Sequence, residues 1–199
     1  RGFPAIKGVY LALLLAATAS SALAATAPTS EWTGDSAKYV FMFIGDGMGT
    51  PQVTATQYYL GAVQNPDATH PIPAALSFSG FPYSGTATTY DMTSFCPDSA
   101  STATAMASGN KTLSGVLNYN VDKTQSFKLI TEYAKEAGKK IGVVTSVSLN
   151  HATPAAFYAK SESRNNYYDI GIQGLTGTTL DYLAGGAFHH ATGDDKDKP

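Results

Sequence analysis

Lys38-Tyr39-Val40-Phe41-Met42-Phe43-Ile44-Gly45-Asp46-Gly47-Met48-Gly49 is the stretch that decides the fold. Behind Lys38 an apolar and aromatic run reaches Ile44 without interruption, and Gly45 ends it. A run of this length with no polar alternation predicts a strand over residues 38–44 covered on both faces, as in a parallel sheet. Working outward, residues 50–60 predict a helix with Thr50 as N-cap and Pro51 at its first position. Residues 81–90 alternate weakly and predict a strand. Residues 99–108 are rich in Ala and Thr, stop at Gly109, and predict a short helix. Residues 126–137 predict an amphipathic helix with Phe127, Ile130, Tyr133 and Ala134 on one face and Gly138 as its stop. Residues 141–145 predict a second buried strand, 167–175 a helix and 182–186 a further strand. Strands alternating with helices indicate an α/β fold with a mostly parallel central sheet flanked by helices.

Composition narrows the function. Lys plus Arg is 13 against 15 Asp plus Glu, for a net charge of −2, which argues against a nucleic-acid binder that would need an excess of basic residues. The hydrophobic share of 43% excludes a disordered chain. Cys96 is the one cysteine, so neither an internal disulfide framework nor a Cys-rich zinc module is available. Residues 1–24 read as a secretory signal: Arg1 and Lys7 supply positive charge, Val9 to Ala17 is apolar, and Ala22-Leu23-Ala24 has the small-x-small cleavage pattern. The apolar part is short of the roughly 20 residues a membrane span needs. Residues 25–37 read as a polar linker and 38–199 as the folded part. The chain starts at Arg1 and stops after a polar run at Pro199, which reads as a piece of a longer protein with an incomplete fold.

In such sheets ligands bind beyond the carboxyl ends of the strands, and three segments deliver reactive groups there. The first is Gly45-Asp46-Gly47-Met48-Gly49. As a dinucleotide loop its spacing fails, because the third glycine position holds Thr50, and Asp46 would repel a pyrophosphate. A carboxylate beside a phosphate makes sense when a cation lies between them. Asp46 therefore reads as a metal ligand or as an ordinary turn residue. The second is Cys96-Pro97-Asp98-Ser99-Ala100-Ser101, where Ser99 opens a helix whose N–H groups and dipole favour an anion. Ser99 reads as a nucleophile, or Asp98 and Ser99 as a plain helix cap, which local sequence alone favours. The third is Asn150-His151-Ala152-Thr153-Pro154-Ala155, with Arg164 further on. His151 reads as a ligand or a hydrogen-bonded loop residue, Thr153 offers an oxygen to Mg²⁺, and Arg164 suits a bidentate pair with phosphate or a solvated position.

Together these segments resemble the alkaline phosphatase family. The resemblance lies in Phe43-Ile44-Gly45-Asp46-Gly47-Met48-Gly49, in Asp98-Ser99-Ala100 with the Ala/Thr-rich stretch behind it, and in His151-Ala152-Thr153-Pro154-Ala155-Ala156 followed by Ser163-Arg164. Ala184-Gly185-Gly186 looks like the family's Gly-Gly strand end, so the resemblance covers residues 38–199. It implies hydrolysis of phosphate monoesters through a phosphoserine on Ser99, with two Zn²⁺ and one Mg²⁺ in the complete protein. Asp46 looks like the carboxylate bridging the second zinc and the magnesium, and Ser99 also like a zinc ligand. Thr153 resembles the magnesium ligand, and Arg164 the guanidinium that holds two phosphate oxygens. At His151 family members vary between Asp and His, so the third metal site differs with it.

The remaining zinc ligands and the magnesium-site Glu lie in the family's second half. His189-His190 with Asp194, Asp195 and Asp197 lacks a ligand spacing and reads as a solvated loop, not a substitute. The implied partners are small phosphate monoesters, with no nucleic acid, no stable membrane anchor after signal cleavage, and a second copy in a homodimer. The implied location is periplasmic or secreted. Two other classes stay open. A sulfatase or phosphodiesterase of the same superfamily is one, although Cys96-Pro97-Asp98-Ser99-Ala100 lacks the spacing and the Arg of the sulfatase signature. A non-catalytic exported phosphate- or metal-binding module is the other.

Overall fold

The computed structural model describes residues 37–193; the expected signal and nearly all of the expected linker lie outside the described residues. The chain divides into two compact units, one holding residues 49–86 with the segment up to Phe43, the other holding Ile44–Met48 and the chain from Ala87 onward. In the first unit helix α1 spans Thr50–Gln64. Gly49, not Thr50, is its N-cap, and the Gln52 side-chain oxygen accepts the Gly49 N–H at 3.0 Å. Residues 71–74 fold back along α1, where the Ala74 N–H donates to the Gln57 carbonyl at 2.9 Å.

The second unit is α/β. Helix α2 is Ser99–Ser108, α3 Ile130–Glu136, strand β1 Gly142–Ser148, α4 Ala152–Ala155, α5 Tyr167–Thr176 and β2 Tyr182–Gly186. β1 and β2 pair in parallel, Gly142 opposite Tyr182 and Val144 opposite Ala184, with an irregularity before Ser148 meets Gly186. Parallel neighbours need a long crossover, which here carries α4 and α5. Helix α2 begins at the Asp98 cap and closes on Gly109, whose φ of 75° is the left-handed stop that glycine adopts without penalty.

The core of this unit is built largely from small residues. Ala100, Ala103 and Ala107 on α2 are buried together with Ala152, Ala155, Ala156 and Ala159 around α4. Their short side chains let the two helices approach closely, and Leu117 and Ile170 close the cluster. Ile44, Val143 and Leu183 pack on its margin. Asn118 stitches the core: it is fully buried at φ 59°, and its amide donates to the carbonyls of Ala156 at 2.8 Å and Ala159 at 2.7 Å. Asn tolerates that left-handed backbone better than most residues.

Four further expectations are corrected. Residues 38–44 form no ladder, and Phe41 and Phe43 are 79% and 92% exposed. A buried strand requires a hydrogen-bonded neighbour and a cover on each face, and among the described residues this run has no strand neighbour. Residues 81–90 likewise form no strand and stay exposed. The helix expected over 126–137 is shortened to α3, because the Phe127 N–H is taken by the Asn118 carbonyl at 2.7 Å. Leu129 is its buried anchor, while Ile130 and Tyr133 face solvent. β1 is also less covered than a central strand, with Val144 73% exposed. The remaining elements, α2, α5 and β2 above all, fall where their sequence signals lie.

Asp91 is the buried carboxylate of this unit. Burial raises its pKa, but bonds from the Ser114 and Ser101 hydroxyls and the Thr93 and Ser94 N–H groups outweigh it and hold the value down at about 2.

Two stability predictions follow from this packing. Asn118→Ala strands two buried carbonyls and should cost about 2–3 kcal/mol in chemical denaturation of the full-length gene product; a loss under about 0.5 kcal/mol would contradict the stitching role. Asp91 binds its proton less tightly folded than unfolded, so its charge stabilises the fold above about pH 4, and that contribution is lost as pH falls towards 2. Melting curves of Asp91→Asn should therefore decline less steeply than the parent's between pH 4 and 2, and parallel slopes would refute the linkage.

Candidate functional site

Asp46 is set in place by the residues on either side of it. Ile44 packs on the core, and the chain turns at once, the Met48 N–H donating to the Gly45 carbonyl at 3.0 Å. Gly47 takes φ 70° in that turn, which a side chain would strain. The Asp46 carboxylate is then exposed at the point where two hydroxyls converge. Ser99 Oγ, at the first position of α2, donates to it, with 3.0 Å to Oδ1 and 3.2 Å to Oδ2. Thr153 Oγ1, in α4, donates to Oδ2 at 2.8 Å. The close α2–α4 packing brings these two hydroxyls to one carboxylate.

Beside this trio lies a second, cationic group. Arg164 Nη1 donates to Asp98 Oδ2 at 2.9 Å, forming an ion pair with the residue that precedes Ser99. Its Nη2 lies 3.3 Å from Nε2 of His151, the N-cap of α4. Burial first, and the neighbouring guanidinium second, push the His151 pKa below its ordinary value. The neutral ring presents Nε2 as an acceptor for the Arg164 N–H. The Nδ1 of His151 is buried with no partner among the described residues. The Asp98 carboxyl is raised by burial but lowered overall, by the Gly115 and Ser101 N–H groups, Arg164 and the Ser101 hydroxyl. Arg164 is itself fixed by its backbone N–H, which donates to the Gly115 carbonyl at 2.7 Å.

All five residues singled out from sequence thus lie in one unit: Asp46, Ser99 and Thr153 share a carboxylate, while Arg164 and His151 meet beside it. The donor chemistry fits a divalent cation in part. A carboxylate flanked by two hydroxyl oxygens is a hard-oxygen set. Among the described residues no group of three or more His, Cys, Asp or Glu converges on one point. His189 meets the Tyr167 ring edge-on at a centroid distance of 4.5 Å, and His190 stacks on the same ring at 5.4 Å.

Sequence reading missed two members of the surroundings. Asp98 reads as a helix cap and is one, but its second oxygen also holds Arg164, a contact across 66 positions that no local signal reveals. Asp91 went unnoticed, although Asp91-Met92-Thr93-Ser94 carries a turn signal: the carboxylate accepts the N–H groups two and three residues on, both at 2.7 Å.

Residues 37–184 match the alkaline phosphatase family. The tissue-nonspecific alkaline phosphatase of Gallus gallus is 37% identical over 142 residues, covering 67% of this chain and 27% of the relative. Among solved structures, the cold-active alkaline phosphatase of the psychrophile Shewanella sp. superposes with a TM-score of 0.62 at 34% identity, covering 70% of this chain and 34% of that one. A TAB5 alkaline phosphatase variant with one histidine replaced by glutamate, described with Mg bound in the M3 site, gives 0.59 at 30% identity, covering 69% and 36%. The chain spans about a quarter of the length of the curated relatives it matches. Matched over residues 37–184 and at least 30% identical to these relatives, the chain belongs to the alkaline phosphatase family.

Proposed function

We propose that the protein hydrolyses phosphate monoesters with Ser99 as the nucleophile and divalent metal ions as cofactors. The observation that carries this reading is the meeting of the Ser99 and Thr153 hydroxyls on the one carboxylate of Asp46. In the reading, Asp46, Ser99 Oγ, Thr153 Oγ1 and His151 are the residues of this chain that would hold the cations. Zinc and magnesium ions would suit these donors, and a TAB5 alkaline phosphatase variant is described with Mg bound. When bound, the cations make the Ser99 hydroxyl more acidic and neutralise charge on the phosphoryl oxygens.

The chain's own residues then act as follows. Ser99 Oγ forms a bond to phosphorus as the ester P–O bond breaks, and the alcohol leaves. Water then cleaves the Ser99 phosphoester, releasing inorganic phosphate and restoring the hydroxyl. Arg164 binds two equatorial oxygens through its planar fork, where charge must be held throughout. Its anchorage on Asp98 keeps that fork next to Ser99 and reduces the reorganisation needed when substrate arrives. His151 belongs to the side of the site where the ions bind, and the unpartnered Nδ1 is consistent with a role beyond packing.

Export is part of the same proposal, resting on the signal-like residues 1–24 and on relatives that include a membrane-bound alkaline phosphatase of Bombyx mori. No helix among the described residues is long and apolar enough to cross a membrane. The proposed organisation is a signal over 1–24, a linker over 25–37 and part of the catalytic domain from 38 onward, with assembly as a homodimer.

Two measurements on the full-length gene product test the reading. Ser99→Ala should lower turnover of p-nitrophenyl phosphate by about 10³-fold or more, as removal of a nucleophile does; activity within a few-fold of the parent would exclude Ser99 from the chemistry. Treatment with EDTA should abolish turnover, and added Zn²⁺ with Mg²⁺ should restore it, whereas indifference to chelation would reject the metal-dependent reaction.

A further inference from the structure

Behind the ion pair of Asp98 and Arg164 lies a second set of bonds with no part in the reaction as described so far. Ser101, buried in the first turn of α2, donates its hydroxyl to Asp91 Oδ2 at 2.7 Å. Its backbone N–H donates to Asp98 Oδ1 at 3.1 Å. The other oxygen of Asp98 holds Arg164. The Ser101 hydroxyl has a single proton, and Asp91 is its shorter partner; Asp98 Oδ1 lies 3.1 Å from the same oxygen. Asp91 is in turn fixed from three other sides, by the Thr93 and Ser94 N–H groups at 2.7 Å each and by the Ser114 hydroxyl at 2.5 Å. A continuous path therefore runs from Asp91 through Ser101 and Asp98 to the guanidinium.

We infer that Asp91 and Ser101 are positioning residues that aim Arg164 at the phosphoryl group bound beside Ser99. The inference rests on the phosphate-binding reading of Arg164 given above. The physical reason is rotational freedom. Arg164 reaches its place on a long side chain, and a partner that can itself rotate would orient it poorly. Asp98 lies at a helix start and is only partly buried. Three features remove its freedom: the N–H groups of Gly115 and Ser101 both hold its carboxylate, and Asp91 prevents Ser101 from shifting. Asp91 suits this task because it is buried and accepts from four donors, the Ser101 and Ser114 hydroxyls and the Thr93 and Ser94 N–H groups. A small misplacement of a phosphate-binding group costs affinity out of proportion to the displacement.

The test uses the full-length, metal-loaded protein and inhibition of p-nitrophenyl phosphate turnover by inorganic phosphate. Ser101→Ala breaks the link between Asp91 and α2 while leaving both carboxylates in place, and Ala suits a helix interior. It should raise the phosphate inhibition constant about three- to tenfold, with KM rising in parallel and kcat changing less. Ser114→Ala removes the other hydroxyl from the same Asp91 oxygen but leaves Ser101, and the Gly115 backbone groups that hold Asp98 and Arg164, unchanged, and should leave both constants within twofold. Arg164→Lys should raise the inhibition constant by itself, and Ser101→Ala should add nothing in that background. Asp91→Asn should behave as Ser101→Ala does, and where it fails to fold the Ser101 comparison stands in its place. Equal effects of the two serine substitutions, or additivity with Arg164→Lys, would reduce Asp91 and Ser101 to a structural role and overturn the inference alone. An unchanged inhibition constant in Arg164→Lys would overturn the phosphate-binding reading and the inference with it.

Discussion

The carboxylate of Asp46 is the constraint on which the rest of the site depends. It accepts hydroxyls from Ser99, 53 positions away, and from Thr153, 107 positions away. Each closure costs chain entropy, and an exposed hydrogen bond returns about 1 kcal/mol at most. The bonds to Asp46 therefore cannot gather these segments by themselves. Packing does so: Ile44 rests on the core two residues before Asp46, and the alanines of α2 and α4 draw Ser99 and Thr153 to one carboxylate. The site is the visible end of a small-residue helix contact.

That arrangement explains which features could be read from the chain. Helix α2 was legible because its signals are local: Asp98 as cap, an Ala/Thr-rich body and Gly109 as stop. Strand β2 and helix α5 were legible for the same reason. The run at residues 38–44 misled, because apolar content specifies burial only where a neighbouring strand and a cover exist, and among the described residues this run pairs with no strand. Its last residue, Ile44, is partly buried against the core, and that contact sets the position of Asp46. The helix at 126–137 misled through one tertiary bond, from Phe127 to Asn118, which outranks a local amphipathic pattern.

The candidate site was legible as a set of residues and opaque as a network. Asp46, Ser99, His151, Thr153 and Arg164 stand out by type and by place in their motifs. Their partners do not. That Arg164 rests on Asp98, and Asp98 on Ser101, is fixed by loops and helices folding together across tens of residues. The electrostatics follow from the same folding. One guanidinium lies between the Asp98 carboxylate, with which it forms an ion pair, and a His151 ring whose pKa is lowered first by burial.

The central claim is that the Ser99 oxygen itself takes the phosphoryl group. The most direct measurement is to incubate the full-length protein with inorganic phosphate at mildly acidic pH, quench it in acid, and map the digested peptides by mass spectrometry. The account predicts a phosphate on the peptide ending at Lys111 and located on Ser99 within it. A protein that turns over phosphate monoesters, yet carries no phosphate on Ser99 under trapping conditions and shows it on another residue, would contradict the account.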